Sequence, residues 1–188
     1  MSELSRPDGL GAQDGAERAA PEGAPARIFL TGELDSSAAA AVAIQLIAHD
    51  GHSDEEVQLL IRSDQGTVSA GLQVMDTIDA MGVPVLRIGL GEVAGPALGV
   101  LAVCHRRRAG PNSRLLLSAP GLSAEGTAEQ LLEAARQAQI DLERFAVRVA
   151  RATRQPLEKI EIDLLQGRHF DAAEAVAYRL IDGIWASR

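Results

Sequence analysis

The sequence predicts an α/β fold with a parallel sheet at its core, and two observations lead to this class. Short β-branched or apolar runs bounded by turn residues occupy 27–30, 57–61 and 85–90, and each is typical of a strand. Helical patterns at 36–48 and 70–81 alternate with these runs. Because strands separated by helices pair in parallel through right-handed crossovers, we expect the helices to cover the faces of one sheet.

The first two helices have recognisable starts or apolar faces. Asp35 is a suitable N-cap for the alanine-rich helix predicted at 36–48. The apolar surface of that helix is supplied by Val42, Ile44, Leu46 and Ile47. The helix predicted at 70–81 is amphipathic, with apolar positions at Leu72, Met75, Ile78 and Met81.

The pattern continues through the second half of the chain. We predict a glycine turn at 91–95 and then a helix at 97–103, which is apolar nearly all round, as a buried helix would be. A fourth strand is predicted at 114–118. Near the C-terminus, a capping box at 171–174 starts a short helix that ends at Arg179, and the apolar run 180–185 indicates a closing strand.

A long helix is predicted at 127–151. Its apolar positions, among Glu, Gln and Arg, are Leu131, Leu132, Ala135, Ile140, Leu142, Phe145 and Val149. A helix of about 25 residues spans nearly 40 Å at 1.5 Å per residue, which is more than one compact domain covers. We therefore expect part of this helix to pack against a partner.

The composition limits the class of protein. The chain of 188 residues is one domain in length, and its net charge of −8 argues against general affinity for nucleic acid or anionic lipid. The basic run at 106–108 lies between apolar segments and is interpreted as a solvated turn. No run approaches the roughly 18 apolar residues that a membrane span needs.

The N-terminal segment and the single cysteine add two expectations. Residues 1–26 are rich in Gly, Ala, Pro and charge, so we expect a disordered tail followed by one domain at 27–188. Cys104 is the only cysteine and has apolar neighbours, which favours a buried thiol and the cytoplasm. No second ligand accompanies any of His49, His52, His105 and His169, so we expect neither a metal nor another cofactor.

Several motifs in register indicate a family. They are RIFL at 27–30, IRSDQGTVSAG at 61–71, GEVAGPA at 91–97, PNSR at 111–114 and QPLEKIE at 155–161. In this order they resemble ClpP peptidase, the proteolytic ring subunit of an ATP-dependent protease, from about residue 27 to 185. The resemblance implies the ClpP/crotonase fold, with repeated ββα-type units and a protruding handle helix at about 126–151.

The resemblance also implies where the catalytic groups of a serine peptidase would lie. The position of the family's serine is occupied by Gly95, that of its histidine by Ser118, and that of its aspartate by Arg168. The two oxyanion donors fall at Gly66 and Pro96, and proline has no backbone N–H to donate. A nucleophile, a base, its orienting carboxylate and one donor are therefore absent from these positions.

The family's interaction surfaces are also changed. The handle helix interlocks two rings in the family, so we expect a homo-oligomer, or a hetero-oligomer with an active paralogue. Where the family has tyrosines in the pocket for its ATPase, this chain has Gln58 and Leu60. The family's first helix and axial loop have no counterpart in the tail, so direct docking of a Clp ATPase is in doubt.

Two other functions stay open at this point. A relocated nucleophile would be Ser63, Ser69 or Ser118, although Ser63 ends a strand, Ser69 opens a helix as a cap and Ser118 has no base. An acyl-CoA-binding protein is the other alternative, because the segments 94–99 and 165–175 are also similar to the crotonase superfamily. Against it, the chain lacks the C-terminal helices that cover the CoA site there.

Overall fold

The computed structural model describes residues 25–103 and 106–185, which form seven strands and six helices. The strands are β1 (Arg27–Thr31), β2 (Val57–Ser63), β3 (Val85–Ala94), β4 (Arg107–Ala109), β5 (Arg114–Leu117), β6 (Arg168–Phe170) and β7 (Gly183–Ile184). The helices are α1 (Ser36–Asp50), α2 (Val68–Ala80), α3 (Gly95–Ala102), α4 (Ala128–Thr153), α5 (Leu157–Gln166) and α6 (Ala172–Tyr178).

The strands form one mixed sheet, and the predicted α/β class is confirmed. Strands β1, β2, β3, β4 and β7 lie side by side in that order and pair in parallel. Strand β5 extends the sheet beside the C-terminal end of β3, and β6 pairs with β5. The β5–β6 pair is antiparallel and lies outside the parallel core.

The segment predicted as a glycine turn at 91–95 is instead the end of β3, which continues to Ala94. Ile61 lies opposite Gly89 and Ser63 lies opposite Val93, so a step of two residues on β2 faces a step of four on β3. Gly91 has a φ of +69°, a conformation that glycine adopts without strain. A bulge at Gly91 thus keeps the strand intact and leads it straight into α3.

The interpretation of 106–108 as a solvated turn is wrong. Arg107 belongs to β4, an inner strand, and only 6% of it is exposed. Its guanidinium contacts the Asp182 carboxylate at 2.7 and 3.1 Å, and it donates to the Ala102 carbonyl at 2.6 Å. The counter-charge lies 75 residues along the chain, so a local pattern could not reveal it.

Besides β4, two further elements were not predicted. Strand β6 has three residues, too few to show an alternation, and α5 carries only Ile160 and Leu164 as buried apolar residues. The predicted closing strand at 180–185 is confined to Gly183–Ile184. Leu180 and Ile181 are buried, but they lie in the loop after α6.

Helix starts differ in detail from the predictions. Thr67, and not Ser69, is the N-cap of α2, because its hydroxyl accepts the N–H of Ala70 at 3.3 Å.

In α1, Ile44 and Ile47 are 69% and 62% exposed, so two of its four predicted apolar positions face away from the core. The α1 pattern therefore contains more apolar surface than this chain buries.

The long helix is present as α4, with 26 residues. Thr127 and Gln130 form a capping box at its start. Its buried residues all belong to its second half and are Phe145, Ala146, Val149, Ala150 and Thr153. Arg148 forms ion pairs with Asp76 and Asp79 of α2, which attach this half to the domain. The first half, from 128 to 140, has no buried residue.

Some sequence predictions lie outside the described residues. These are the tail from 1 to 24, Cys104 and His105. In the ranges 25–103 and 106–185, no helix has the length and the apolar character needed to cross a membrane. Within the same ranges, no group of three or more His, Cys, Asp or Glu residues could hold a metal ion.

Candidate functional site

The end of β3 brings two predicted site positions together. A Cβ placed on Gly95, the first residue of α3, would lie 3.5 Å from the Ser118 carbonyl oxygen and 3.8 Å from its hydroxyl oxygen. These are ordinary van der Waals distances, so a side chain at 95 would contact Ser118 without overlap. Because β3 and β5 are parallel neighbours, their C-terminal ends present positions 95 and 118 at the same edge of the sheet.

Pro96 occupies the first turn of α3, where a missing N–H costs the helix no hydrogen bond. A Cβ on Gly71 would lie 3.0 Å from the Cβ of Pro96, which is closer than most real contacts. Gly71 therefore allows α2 to approach the start of α3. Of the two predicted oxyanion positions, the one at Pro96 offers a ring and no donor.

The other oxyanion position, Gly66, lies in the loop that follows β2. Its φ is +144°, and a Cβ there would overlap the Leu34 carbonyl oxygen, so the loop requires glycine. Hydrogen bonds from Thr67 N–H to Leu34 O at 3.0 Å and from Leu34 N–H to Gln65 O at 2.9 Å hold the loop. Among the described residues no carbonyl accepts the N–H of Gly66.

Arg168, the third predicted position, lies on β6 directly opposite Leu117 of β5. Its guanidinium donates to both carboxylate oxygens of Asp163, at 3.3 and 3.4 Å. The same group lies 5.1 Å from the ring centroid of Phe170 and 5.0 Å from that of Tyr178. Position 168 thus carries a cation held by a carboxylate and two aromatic rings.

Asp163 connects Arg168 with Tyr178, and sequence reasoning did not find this residue. Asp163 is 7% exposed, and the Tyr178 hydroxyl donates to it at 2.5 Å. Burial and the neighbouring carboxylate raise the pKa of the Tyr178 phenol well above its ordinary value, so the hydroxyl stays protonated. The one available signal was an aspartate on the buried face of α5, a helix that was not predicted.

The alternative serine nucleophiles bond to groups other than imidazoles. The Ser63 hydroxyl donates to the Gln65 carbonyl at 3.1 Å, and the Ser69 hydroxyl contacts that of Thr67 at 3.2 Å. Among the described residues, no serine hydroxyl is hydrogen-bonded to a histidine ring.

The described histidines are His49, His52 and His169. His49 and His52 bond to the carbonyls of Glu55 and Ala48. His169 is exposed on β6 opposite Leu116. It is the imidazole nearest in sequence to the predicted site.

The cleft beside Gln58, one of the two predicted ATPase-docking positions, carries several charged residues. Gln58 is buried, and its side-chain oxygen accepts a hydrogen bond from Arg27 at 3.3 Å. The same cleft is lined by Glu56, Gln58, Leu86, Arg106, Arg107, Arg108, Asp182, Gly183 and Trp185. This surface therefore differs from the hydrophobic pocket that the resemblance implies.

The scaffold is of the serine-peptidase type. Its features are the sheet edge at positions 95, 118 and 168, the glycine loop at 66 and the long helix α4, whose first half is exposed. The chain belongs to the Clp protease family, whose family model matches residues 24–188. It is 34% identical over 163 residues to "ATP-dependent Clp protease proteolytic subunit 3" of Rhizobium etli. That match covers 86% of this chain and 84% of the relative.

Proposed function

We propose that this chain is a catalytically inactive ClpP-like subunit with a structural or regulatory role in a Clp-type protease ring. The observation that carries the proposal is the proximity of position 95 to Ser118. A Cβ on Gly95 would be in van der Waals contact with Ser118, and between them the two positions supply one hydroxyl and no imidazole. Acyl transfer needs that base to remove the proton of the attacking hydroxyl.

The remaining positions support the same proposal. Arg168 would repel an imidazolium where the family has an aspartate to stabilise one. Pro96 removes a backbone donor, and loss of one oxyanion donor costs about 3–4 kcal/mol of transition-state stabilisation. Because the nucleophile, base, carboxylate and donor act as a unit, replacing all four leaves no partial route to an acyl-enzyme at Gly95.

A place in a ring is supported by α4. Its first half exposes Leu132 by 61%, Ile140 by 43% and Leu131 by 40%, although the domain buries nothing against this half. Members of the family form oligomeric rings. We expect the first half of α4 to pack against another subunit, either a second copy or an active paralogue.

The cellular setting follows from the same proposal. A ring subunit of this family would act in the cytoplasm. Direct docking of a Clp ATPase onto this subunit is disfavoured, because three arginines and two carboxylates line the cleft at Gln58. In a mixed ring, the active paralogue would supply both the docking surface and the peptidase sites.

The activity experiment uses the full chain alone and mixed with a ClpP-like paralogue from the same genome. We expect no labelling by a fluorophosphonate probe and no peptide-ester hydrolysis by the chain alone. Labelling of any serine, with loss after Ser63→Ala, Ser69→Ala or Ser118→Ala, would identify a relocated nucleophile and overturn the proposal. Saturable binding of acetyl-CoA in calorimetry would favour the acyl-CoA alternative.

The ring experiment measures native mass. We expect a mass above that of the monomer, alone or with the paralogue, and a lower mass for Leu132→Glu. Leu122→Glu is a matched control, because Leu122 is 57% exposed but lies in the loop before α4. A monomeric wild type with and without the paralogue would contradict the ring role.

A further inference from the structure

An arginine-rich cleft lies away from the predicted peptidase positions, between the C-terminal ends of α4 and α6 and strand β4. Its volume is about 670 Å³. It is lined by Asp79, Val103, Arg107, Arg148, Arg151, Ala152, Arg154, Val176, Arg179, Ile181 and Asp182. Five arginines and two aspartates give this lining a formal charge of 5 − 2 = +3, in a chain whose net charge is −8.

Two of the five arginines serve the fold. Arg107 is paired with Asp182, and Arg148 is paired with Asp76 and Asp79. The other three are exposed, and within the described residues they have no ion pair or side-chain hydrogen bond. They are Arg151, Arg154 and Arg179. The excess charge of the cleft therefore resides on side chains that the fold leaves unengaged.

The backbone provides a second, independent observation. Arg154 and Arg179 end α4 and α6 in the left-handed conformation, with φ of 55° and 69°. Glycine is the usual residue at such a position, because a Cβ strains this conformation. Both helices nevertheless end with arginine, and both arginines line the same cleft. Strained residues of this kind are concentrated at ligand-binding sites.

The ends of the two helices weaken the positive field only partly. A helix C-terminus carries about half a negative charge, so two such ends offset roughly one unit of charge. An arginine near these carbonyls gains some stabilisation from them. Neither effect explains why both arginines line the same cleft as a third unpaired arginine.

We propose that this cleft binds a small phosphorylated ligand that carries at least two negative charges, such as a diphosphate. The planar guanidinium matches phosphate oxygens in two-point hydrogen bonds, and three such groups can surround a diphosphate. The apolar residues Val103, Val176 and Ile181 line the same cleft and would contact an uncharged part of the ligand. This proposal is independent of the state of the peptidase positions.

The test is calorimetric titration of the full chain with inorganic pyrophosphate. We expect saturable binding with a dissociation constant of about 0.1 mM or below. A second titration uses ADP, whose nucleoside would contact the apolar residues of the cleft. Tighter binding of ADP than of pyrophosphate would show that these residues contribute to affinity. Titration with citrate tests whether the cleft prefers phosphate groups to carboxylates. Tighter binding of citrate than of both phosphate compounds would overturn the choice of phosphate.

Variants at the helix ends separate binding from folding. Arg154→Gly/Arg179→Gly removes two of the three unpaired cations and supplies the residue that the backbone prefers. We expect this variant to bind pyrophosphate at least tenfold more weakly, while its thermal midpoint stays equal to the wild type or rises. A large fall in the midpoint would show that the arginines serve the fold, and would overturn the proposal.

A charge-matched control uses Arg114→Gln/Arg136→Gln. These side chains are 78% and 75% exposed and lie outside the cleft. The control lowers the net charge by the same amount, so it should bind pyrophosphate like the wild type. Equal weakening in both double variants, or no saturation in the wild type, would contradict a specific site.

Discussion

The Arg168 guanidinium lies 3.3 Å from the carboxylate of Asp163, at the strand position where the family resemblance places a catalytic aspartate. Asp163 is 7% exposed and also accepts the Tyr178 hydroxyl, so the cation at 168 neutralises a largely buried charge. The reversed charge is thus part of a local cluster that connects α5, β6 and α6. A return to aspartate at 168 would disturb this cluster as well as change the site.

The first prediction concerns that return. Arg168→Asp would place two carboxylates together, and we expect a loss of about 1–3 kcal/mol of unfolding free energy, measured by urea denaturation at pH 7. Arg168→Gln should cost less, because it removes the attraction without adding repulsion. Adding Asp163→Asn to Arg168→Asp should recover part of the loss. Equal stability of Arg168→Asp and the wild type would show that the ion pair is energetically silent.

The second prediction concerns a restored hydroxyl. Gly95→Ser has room for its side chain against Ser118, but a φ of +50° strains it, with an expected cost of about 1–2 kcal/mol. We expect this variant to fold and to show no ester hydrolysis above background, because no imidazole and no Pro96 N–H assist the hydroxyl. Its circular dichroism and native mass should match the wild type. Measurable turnover of a peptide ester would refute the proposed inactivity.

The third prediction concerns the packing that anchors α4. A Cβ on Gly99 would overlap the Phe145 ring and the Met75 methyl group, so α3 touches α2 and α4 closely at this point. Gly99→Ala should lower the unfolding free energy by about 1–3 kcal/mol through overpacking. Phe145→Leu in the same chain should recover part of this loss.

A matched control exists for this substitution. Gly183→Ala adds the same methyl group where nothing lies within 4 Å, and it should change the midpoint little. If Gly99→Ala is as stable as Gly183→Ala, the contact between α3 and α4 is loose enough to accept a methyl group.

The fourth prediction concerns pH. Burial opposes ionisation of Asp182, but hydrogen bonds from Arg107 outweigh it and hold its pKa below the ordinary value of 3.8. A depressed pKa contributes stability that is present above the unfolded-state pKa and is lost as pH falls through the folded-state pKa. Asp182→Asn should therefore be less stable than the wild type at pH 7, and the difference should shrink below about pH 4.

Urea midpoints from pH 7 to pH 3 would check this prediction. Glu92→Gln is a suitable control, because its ion pair with Arg114 is exposed and should contribute little at any pH. A difference between Asp182→Asn and the wild type that stays constant with pH would mean that the carboxylate charge does not stabilise the fold.

Much of the fold could be predicted because its signals are local. The strands at 27–30 and 57–61 and the helix capped by Asp35 have periodic patterns and a capping residue within a few positions. The capping box at Asp171 and Glu174 is of the same kind, and the structure shows both of its hydrogen bonds. The family could also be predicted, because several of its motifs occur in this sequence in the same order.

The sequence by itself determined which chemical groups stand at 95, 96, 118 and 168, and it determined the family. Only the tertiary structure decided that Arg107 is buried on Asp182, that Arg168 is neutralised by Asp163, and that three unpaired arginines border one cleft. The physical reason is that the partners belong to different secondary-structure elements: Asp182 lies 75 residues from Arg107, and Asp163 lies on α5 whereas Arg168 lies on β6. Those partners come together only when the sheet and its helices pack.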